Sequence, residues 1–190
     1  VVYMGMGEPF LNWDNVSESI RLLNQEDLFN IGSRSISVST AGIPDKIIKF
    51  ADTFPQVNLA LSLHSAIQRK REEIMPIAKQ YDLEELKKAL NYYLSKTKRK
   101  IFIEYIMLDQ FNDADNDLNE LIKFFGEIKE RYLLHLNLIP FNVTTSKHKP
   151  SSQKTMKHFQ EMLIRNKIEL TVRKSLGLDI DGACGQLGKK

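Results

Sequence analysis

Glu8 is the first residue of the chain whose setting suits chemistry. It stands in Gly5-Met6-Gly7-Glu8-Pro9, directly after the apolar run Val1–Met4. The run reads as a short buried strand, and the glycines as a turn at its C-terminal end. Without Cβ atoms, Gly5 and Gly7 let a ligand come close to the backbone. Pro9 steers Glu8 toward an extended conformation. A carboxylate and a bare carbonyl then lie side by side, which suits a ligand ammonium group in need of acceptors and a counter-charge. The plainer alternative is a tight strand-to-helix turn with a solvated glutamate.

Other polar residues recur at the ends of apolar segments: Ser39 with Thr40, Ser62 with His64, and Asn142. Such a set can hold a polar small molecule carrying an amino group, a carboxylate and hydroxyls. Cys184 lies in Asp181-Gly182-Ala183-Cys184-Gly185-Gln186-Leu187-Gly188. Its small neighbours leave the sulfur accessible, unlike a packing cysteine; the alternative is an incidental thiol on a tail. One cysteine excludes an intramolecular disulfide and an all-cysteine metal site within this chain. No His/Asp/Glu set has metal spacing, and no Gly-rich phosphate cradle is visible. The basic runs Arg69–Arg71, Lys98–Lys100 and Lys147–Lys149 read either as solvated faces or as phosphate contacts.

The elements that position these residues follow from periodicity. Strands are expected over Val1–Met4, Ser35–Thr40, Asn58–His64, Ile101–Leu108, Leu133–Ile139 and Ile168–Arg173. Between them lie helical patterns. Asn12 is placed to cap the first, with Val16, Ile20 and Leu23 on one face. Pro44 opens the second. Asp82 and Glu85 form a capping box ahead of the stripe Leu83, Leu86, Leu90 and Leu94. Later helices carry Leu118, Leu121, Phe125 and Ile128, then Met156, Phe159 and Leu163.

Strands alternating with helices over residues 1–190 give a single α/β unit built on parallel strands. The strand faces separate a barrel from an open doubly wound sheet. Ser35, Ser37 and Ser39 share a face, as do Ala60, Ser62 and His64, and His135 and Asn137. Leu59, Leu61, Leu63, Leu134, Leu136 and Leu138 take the opposite faces. A sheet covered by helices on both sides is apolar on both. One apolar and one small, polar face fit a parallel (β/α) barrel with a wet lumen, whose ligands sit at the C-terminal strand ends. A few satisfied buried hydroxyls and imidazoles remain the alternative.

With 190 residues, 42% hydrophobic and 27% charged, the chain suits one soluble domain with a real core. Its net charge of +3 is compatible with RNA without arguing for it. No signal peptide and no long apolar run are present, so the cytoplasm is the expected location. The chain opens inside a strand pattern, which reads as a fragment.

Gly-Met-Gly-Glu-Pro at 5–9, Ser-Val-Ser-Thr-Ala-Gly at 37–42, Leu-Ser-Leu-His at 61–64, Asn-Leu-Ile-Pro-Phe-Asn at 137–142 and Ala-Cys-Gly-Gln-Leu at 183–187 follow in this order. Together they resemble the RlmN/Cfr family of radical S-adenosylmethionine RNA methyltransferases, along essentially the whole chain. The resemblance implies an incomplete radical S-adenosylmethionine barrel lacking its first strand. It implies that Gly7 and Glu8 receive the amino group of S-adenosylmethionine, that Ser39 and Ser62-Leu63-His64 hold its carboxylate and ribose hydroxyls, and that Asn142 meets the nucleoside end. Cys184 becomes the methyl-carrying cysteine.

In the family, a [4Fe–4S] cluster cleaves a second S-adenosylmethionine, and the radical formed takes hydrogen from the methylated cysteine. The implied substrate is carbon 2 of adenosine in 23S rRNA and tRNA, with a flavodoxin-type electron donor. Carbon 8 is the alternative within the family, and a non-catalytic RNA- or S-adenosylmethionine-binding remnant the alternative outside it. The family's Cys-x3-Cys-x2-Cys loop and its adduct-resolving cysteine are absent here and are expected upstream of Val1. Leu176 stands where an arginine is expected, and Gly182 where alanine is usual. The fragment is therefore expected to be silent alone, with a bare edge strand as a route to dimers; the full-length form is expected to be a monomer.

Overall fold

The computed structural model describes residues 1–142 and 147–174. Six strands form one parallel sheet: β1 (Val2–Tyr3), β2 (Ser37–Thr40), β3 (Asn58–Ser62), β4 (Ile101–Met107), β5 (Leu134–Pro140) and β6 (Leu170–Val172). Their spatial order is their sequence order. A doubly wound sheet reverses direction at a switch point. Here every crossover steps the same way, and right-handed crossovers then place all helices on one face and curl the sheet toward a barrel. The structure is thus a partial barrel of the kind expected from the strand faces.

Among the described residues, six helices connect the strands: α1 (Trp13–Asn24), α2 (Pro44–Thr53), α3 (Gln68–Ile74), α4 (Leu83–Thr97), α5 (Asp115–Gly126) and α6 (Gln153–Arg165). The capping box of α4 forms as read: Asp82 accepts from the Glu85 amide at 2.8 Å, and the Asp82 amide donates to Glu85 at 3.2 Å. Its apolar stripe, Leu86, Leu90 and Leu94, is buried. The helix stops at Lys98, which turns left-handed at φ +53°.

Two local expectations differ from the structure. A 3-10 turn, Pro9–Asn12, precedes α1, and Glu8 caps it; the Asn12 side chain is taken by Asn15 instead of capping α1. Ser35 lies in a 3-10 turn, Ser33–Ser35, ahead of β2.

The interior rows are set by register. Ser39, Ala60, Phe102 and His135 lie abreast, and one layer higher so do Ser62, Glu104, Asn137 and Thr171. The upper layer is polar: Asn137 donates to Glu104 Oε1 at 2.8 Å. Burial pushes the Glu104 carboxyl above its ordinary range. The opposite face supplies the core, with Val38, Leu59, Leu61, Ile103, Leu136 and Leu138 fully buried under the helices. Rings fill the space between α1, α2 and α4. Phe50 packs on Phe10 (5.4 Å between centroids), Phe54 (5.9 Å) and Tyr93 (6.4 Å, near parallel).

Phe50→Ala empties the middle of that cluster. The expected loss is about 3–5 kcal/mol of unfolding free energy, measured as a shift of the urea midpoint with an unchanged slope.

Candidate active site

The C-terminal ends of β1, β2 and β3 open onto one cavity of about 330 Å³, walled in part by Gly7, Glu8, Ser39, Ser62, His64 and Met75. Gly7 makes the turn into it at φ +93°, a backbone that side chains rarely adopt. Glu8 follows in the extended conformation that Pro9 demands, at φ −110° and ψ 108°.

From there the Glu8 carboxylate reaches across to β2. Oε1 accepts from the Phe10 amide at 3.0 Å and the Thr40 hydroxyl at 2.8 Å, and Oε2 accepts from the Ala41 amide at 2.6 Å. Thr40 Oγ1 accepts in turn from the Gly42 amide at 3.0 Å. Glu8 is therefore not a solvated glutamate: it staples the first turn to the end of β2. A carboxylate takes about four donors, so these three leave Oε2 room for one more, and Glu8 is on the cavity wall.

His64 lies two residues past β3, outside the strand expected to contain it, because the chain turns there at φ +55°. The amides of Leu63 and His64 both donate to the Glu104 carbonyl, at 3.1 and 3.2 Å. The buried Asn112 fixes the turn from the other side. Its Nδ2 donates to the carbonyls of His64 and Ile106, each at 2.7 Å, and its Oδ1 accepts from the Leu108 amide at 2.7 Å.

The imidazole Nδ1 accepts from the Ile106 amide at 3.2 Å. The neutral ring must then carry its proton on Nε2. Burial, reinforced by the charge of Arg71, pushes the His64 pKa down to about 4. At neutral pH it offers the cavity an uncharged N–H donor.

The structure brings together Gly7, Glu8, Ser39, Ser62 and His64. Leu63 contributes backbone only, since its side chain is in the core. Asn142 is buried just beyond β5 and is not part of this cavity wall. Cys184 and Leu176 lie outside the described residues. Sequence reasoning missed Thr40 and the Ala41 amide as partners of Glu8, Glu104 as a lumen residue, and Asn112 as the brace of His64. An acid in the middle of an apolar strand, as Glu104 is, was a readable signal. Nothing in the local pattern marks Asn112.

No protein-family model matches the chain. The sheet and its polar rim define a partial parallel barrel with a ligand cavity at its strand ends. A radical SAM methyltransferase of known structure from Sphaerobacter thermophilus matches with a TM-score of 0.91 at 37% identity, over 97% of this chain and 53% of that one. A domain of a pyruvate-formate lyase-activating enzyme from Bacteroides vulgatus shares the fold at a TM-score of 0.68 and 13% identity.

Within that class, two curated relatives are named probable dual-specificity RNA methyltransferase RlmN. The protein from Thermosipho melanesiensis is 44% identical over 190 residues, all of this chain and 55% of its own length. That from Clostridium novyi is 45% identical over 188 residues, 98% of this chain and 54% of its own. Along its whole length the chain is similar to proteins named RlmN, and it spans about half the length of the curated relatives it matches. Among the described residues, no helix is long and apolar enough to cross a membrane.

The state of His64 sets a pH dependence. Folded, it titrates near 4; unfolded, near 6.5. Between those values the unfolded chain binds the extra proton, so the stability is present above about 6.5 and is lost as pH falls toward 4. Urea unfolding from pH 7 to 4.5 should show a decline of up to ~1.4 kcal/mol per pH unit from this group. His64→Gln should flatten it.

Proposed function

We propose that this chain is the catalytic core of a radical S-adenosylmethionine methyltransferase that methylates carbon 2 of adenosine in 23S rRNA and tRNA through a methylated Cys184. The observation that carries the reading is the convergence of Glu8, Ser39, Ser62 and His64 on one cavity at the strand ends, in a chain 41–45% identical to proteins named RlmN. Those relatives' names, dual-specificity RNA methyltransferase, support an RNA substrate of more than one kind.

The residues present fit S-adenosylmethionine. Glu8 Oε2 and the turn backbone at Gly7 receive the ammonium. Ser39 meets the carboxylate. The Ser62 hydroxyl and the His64 Nε2–H hold the ribose hydroxyls; Asn142, outside this cavity wall, is assigned to the nucleoside end by the sequence resemblance alone. When bound, S-adenosylmethionine supplies the sulfonium methyl and, with an iron–sulfur cluster, radical chemistry. That chemistry answers a real difficulty, because carbon 2 of adenine is electron-poor and does not act as a nucleophile. Cys184 accepts the methyl as a thiolate, which calls for a nearby positive charge. A [4Fe–4S] cluster does not fit this chain, which has one cysteine; its thiolates, and the site that meets the flavodoxin-type donor, belong elsewhere in the holoenzyme.

Glu8→Gln removes the counter-charge and turns an amide N–H₂ toward donors that the carboxylate now accepts. Calorimetry on the intact gene product should show S-adenosylmethionine affinity reduced by about tenfold or more; unchanged affinity would sink the ammonium assignment. Cys184→Ser should leave that affinity intact and abolish methyl transfer, with peptide mass spectrometry finding the methyl mark on Cys184 only in the unsubstituted protein. Mass analysis of adenosine from RNA of cells with and without the gene then reads the product: 2-methyladenosine is expected, and 8-methyladenosine refutes carbon 2.

A further inference from the structure

Arg71 does not line the cavity described so far and has entered only through its charge on His64. It lies on α3, in the run Arg69-Lys70-Arg71, where the solvated-face reading holds only in part. Arg69 is exposed beside Glu73, and Lys70 pairs with Asp117 at 2.7 Å. Arg71 is fully buried. Its hydrogen bonds go to carbonyls and not to a carboxylate: Nη2 donates to Ala41 O at 2.5 Å and to Ser62 O at 3.4 Å, while Nε and Nη1 have no hydrogen-bond partner among the described residues. Burial lowers its pKa to about 10, which leaves it charged at neutral pH. A buried cation without a counter-ion is costly, so its place needs a reason.

The two carbonyls supply one. Ala41 and Ser62 stand where β2 and β3 end. The Ala41 amide is the donor on Glu8 Oε2, and Ser62 and His64 are on the cavity wall. Gly42 belongs to the same contact. At φ +99° it is left-handed, and a Cβ there would lie 3.1 Å from Arg71 Nη2 and 3.1 Å from Leu61. The glycine that closes Ser-Thr-Ala-Gly therefore makes room for the guanidinium.

We propose that Arg71 is a positioning residue for cofactor binding. Its guanidinium ties the terminal carbonyls of β2 and β3 together, and its charge sets a positive potential behind Ser62 and His64 that favours the carboxylate end of an amino-acid ligand. The inference rests on the assignment of the cavity to S-adenosylmethionine. Both bonds come from the one nitrogen, Nη2, which the rigid guanidinium plane holds in place and the flexible stem of a lysine would not.

The test uses Arg71→Met and Arg71→Lys in the intact gene product. The first measurement needs no ligand: NMR titration of His64. That ring is faced by Arg71 from α3, the Ile106 amide from β4, Glu8 across the cavity, and Glu73 and His148 along the adjoining hollow. With Met at 71 its pKa should rise above about 4, burial alone still holding it below the ordinary imidazole value; with Lys it should stay low.

The second measurement is calorimetric affinity for S-adenosylmethionine and for its decarboxylated analogue. The Met variant should lose about tenfold or more for S-adenosylmethionine and clearly less for the analogue. The Lys variant should weaken both ligands alike, keeping the preference for a carboxylate. Equal losses for both ligands with an unmoved His64 in the Met variant would overturn the proposal. If that variant fails to fold, the Lys variant decides, and unchanged affinity for both ligands is the overturning result. Failure of the unsubstituted protein to bind S-adenosylmethionine would instead refute the cavity assignment, while His64 still reports on Arg71.

Discussion

The three hydrogen bonds received by the Glu8 carboxylate organise the ligand end of this barrel. Two of them join the turn after β1 to the end of β2, segments that no ladder bond connects at that height, and the third, from the Phe10 amide, caps the turn that follows. Each is charge-assisted, and such bonds are about twice as strong as neutral ones. Because the donors are two backbone amides and a hydroxyl, none brings a compensating charge. The carboxylate keeps its full sign for whatever enters the cavity. Its last free acceptor position is thus held in place before a ligand arrives, which spares the ordering cost that a loose side chain incurs on binding.

A second layer of polar groups lies below. Ser62, Glu104, Asn137 and Thr171 run abreast across four strands. Only Glu104 is ionisable, and its environment resists ionisation: burial raises its pKa, against the Asn137 amide and an Arg173 nitrogen 3.9 Å from Oε2. Arg71 and Glu104, both buried, lean in opposite directions. The arginine remains charged, and the acid is pushed toward neutrality. On the proposed reading, Arg71 behind β3 and Glu8 across the cavity face the two opposite charges of an amino-acid ligand.

Much of this was legible. Strand–helix alternation gave the class, and the period-two faces of β2, β3 and β5 gave the lumen, because a barrel's inner face differs chemically from its outer one. The α4 capping box was readable since both of its partners are three residues apart. What stayed hidden depends on groups far apart in sequence. Periodicity carried the third strand through His64, but Asn112, forty-eight residues on, turns the backbone there. Arg71 read as one of three surface cations, since nothing local says which of them meets the carbonyls of Ala41 and Ser62. Asn12 lost its capping role because Glu8 starts the helical turn four residues earlier. Tertiary contacts override local preference in each case.

The strictly sequential strand order has a kinetic meaning. Each strand pairs with its predecessor and its successor only, so no ladder must wait for a distant part of the chain; the longest step joins β3 to β4, as in Leu59 beside Ile101. Parallel sheets are slow to form when pairing is remote. Here every β–α pair can dock on the one made just before it, and a nascent chain can bury its leucines in the order in which they are synthesised.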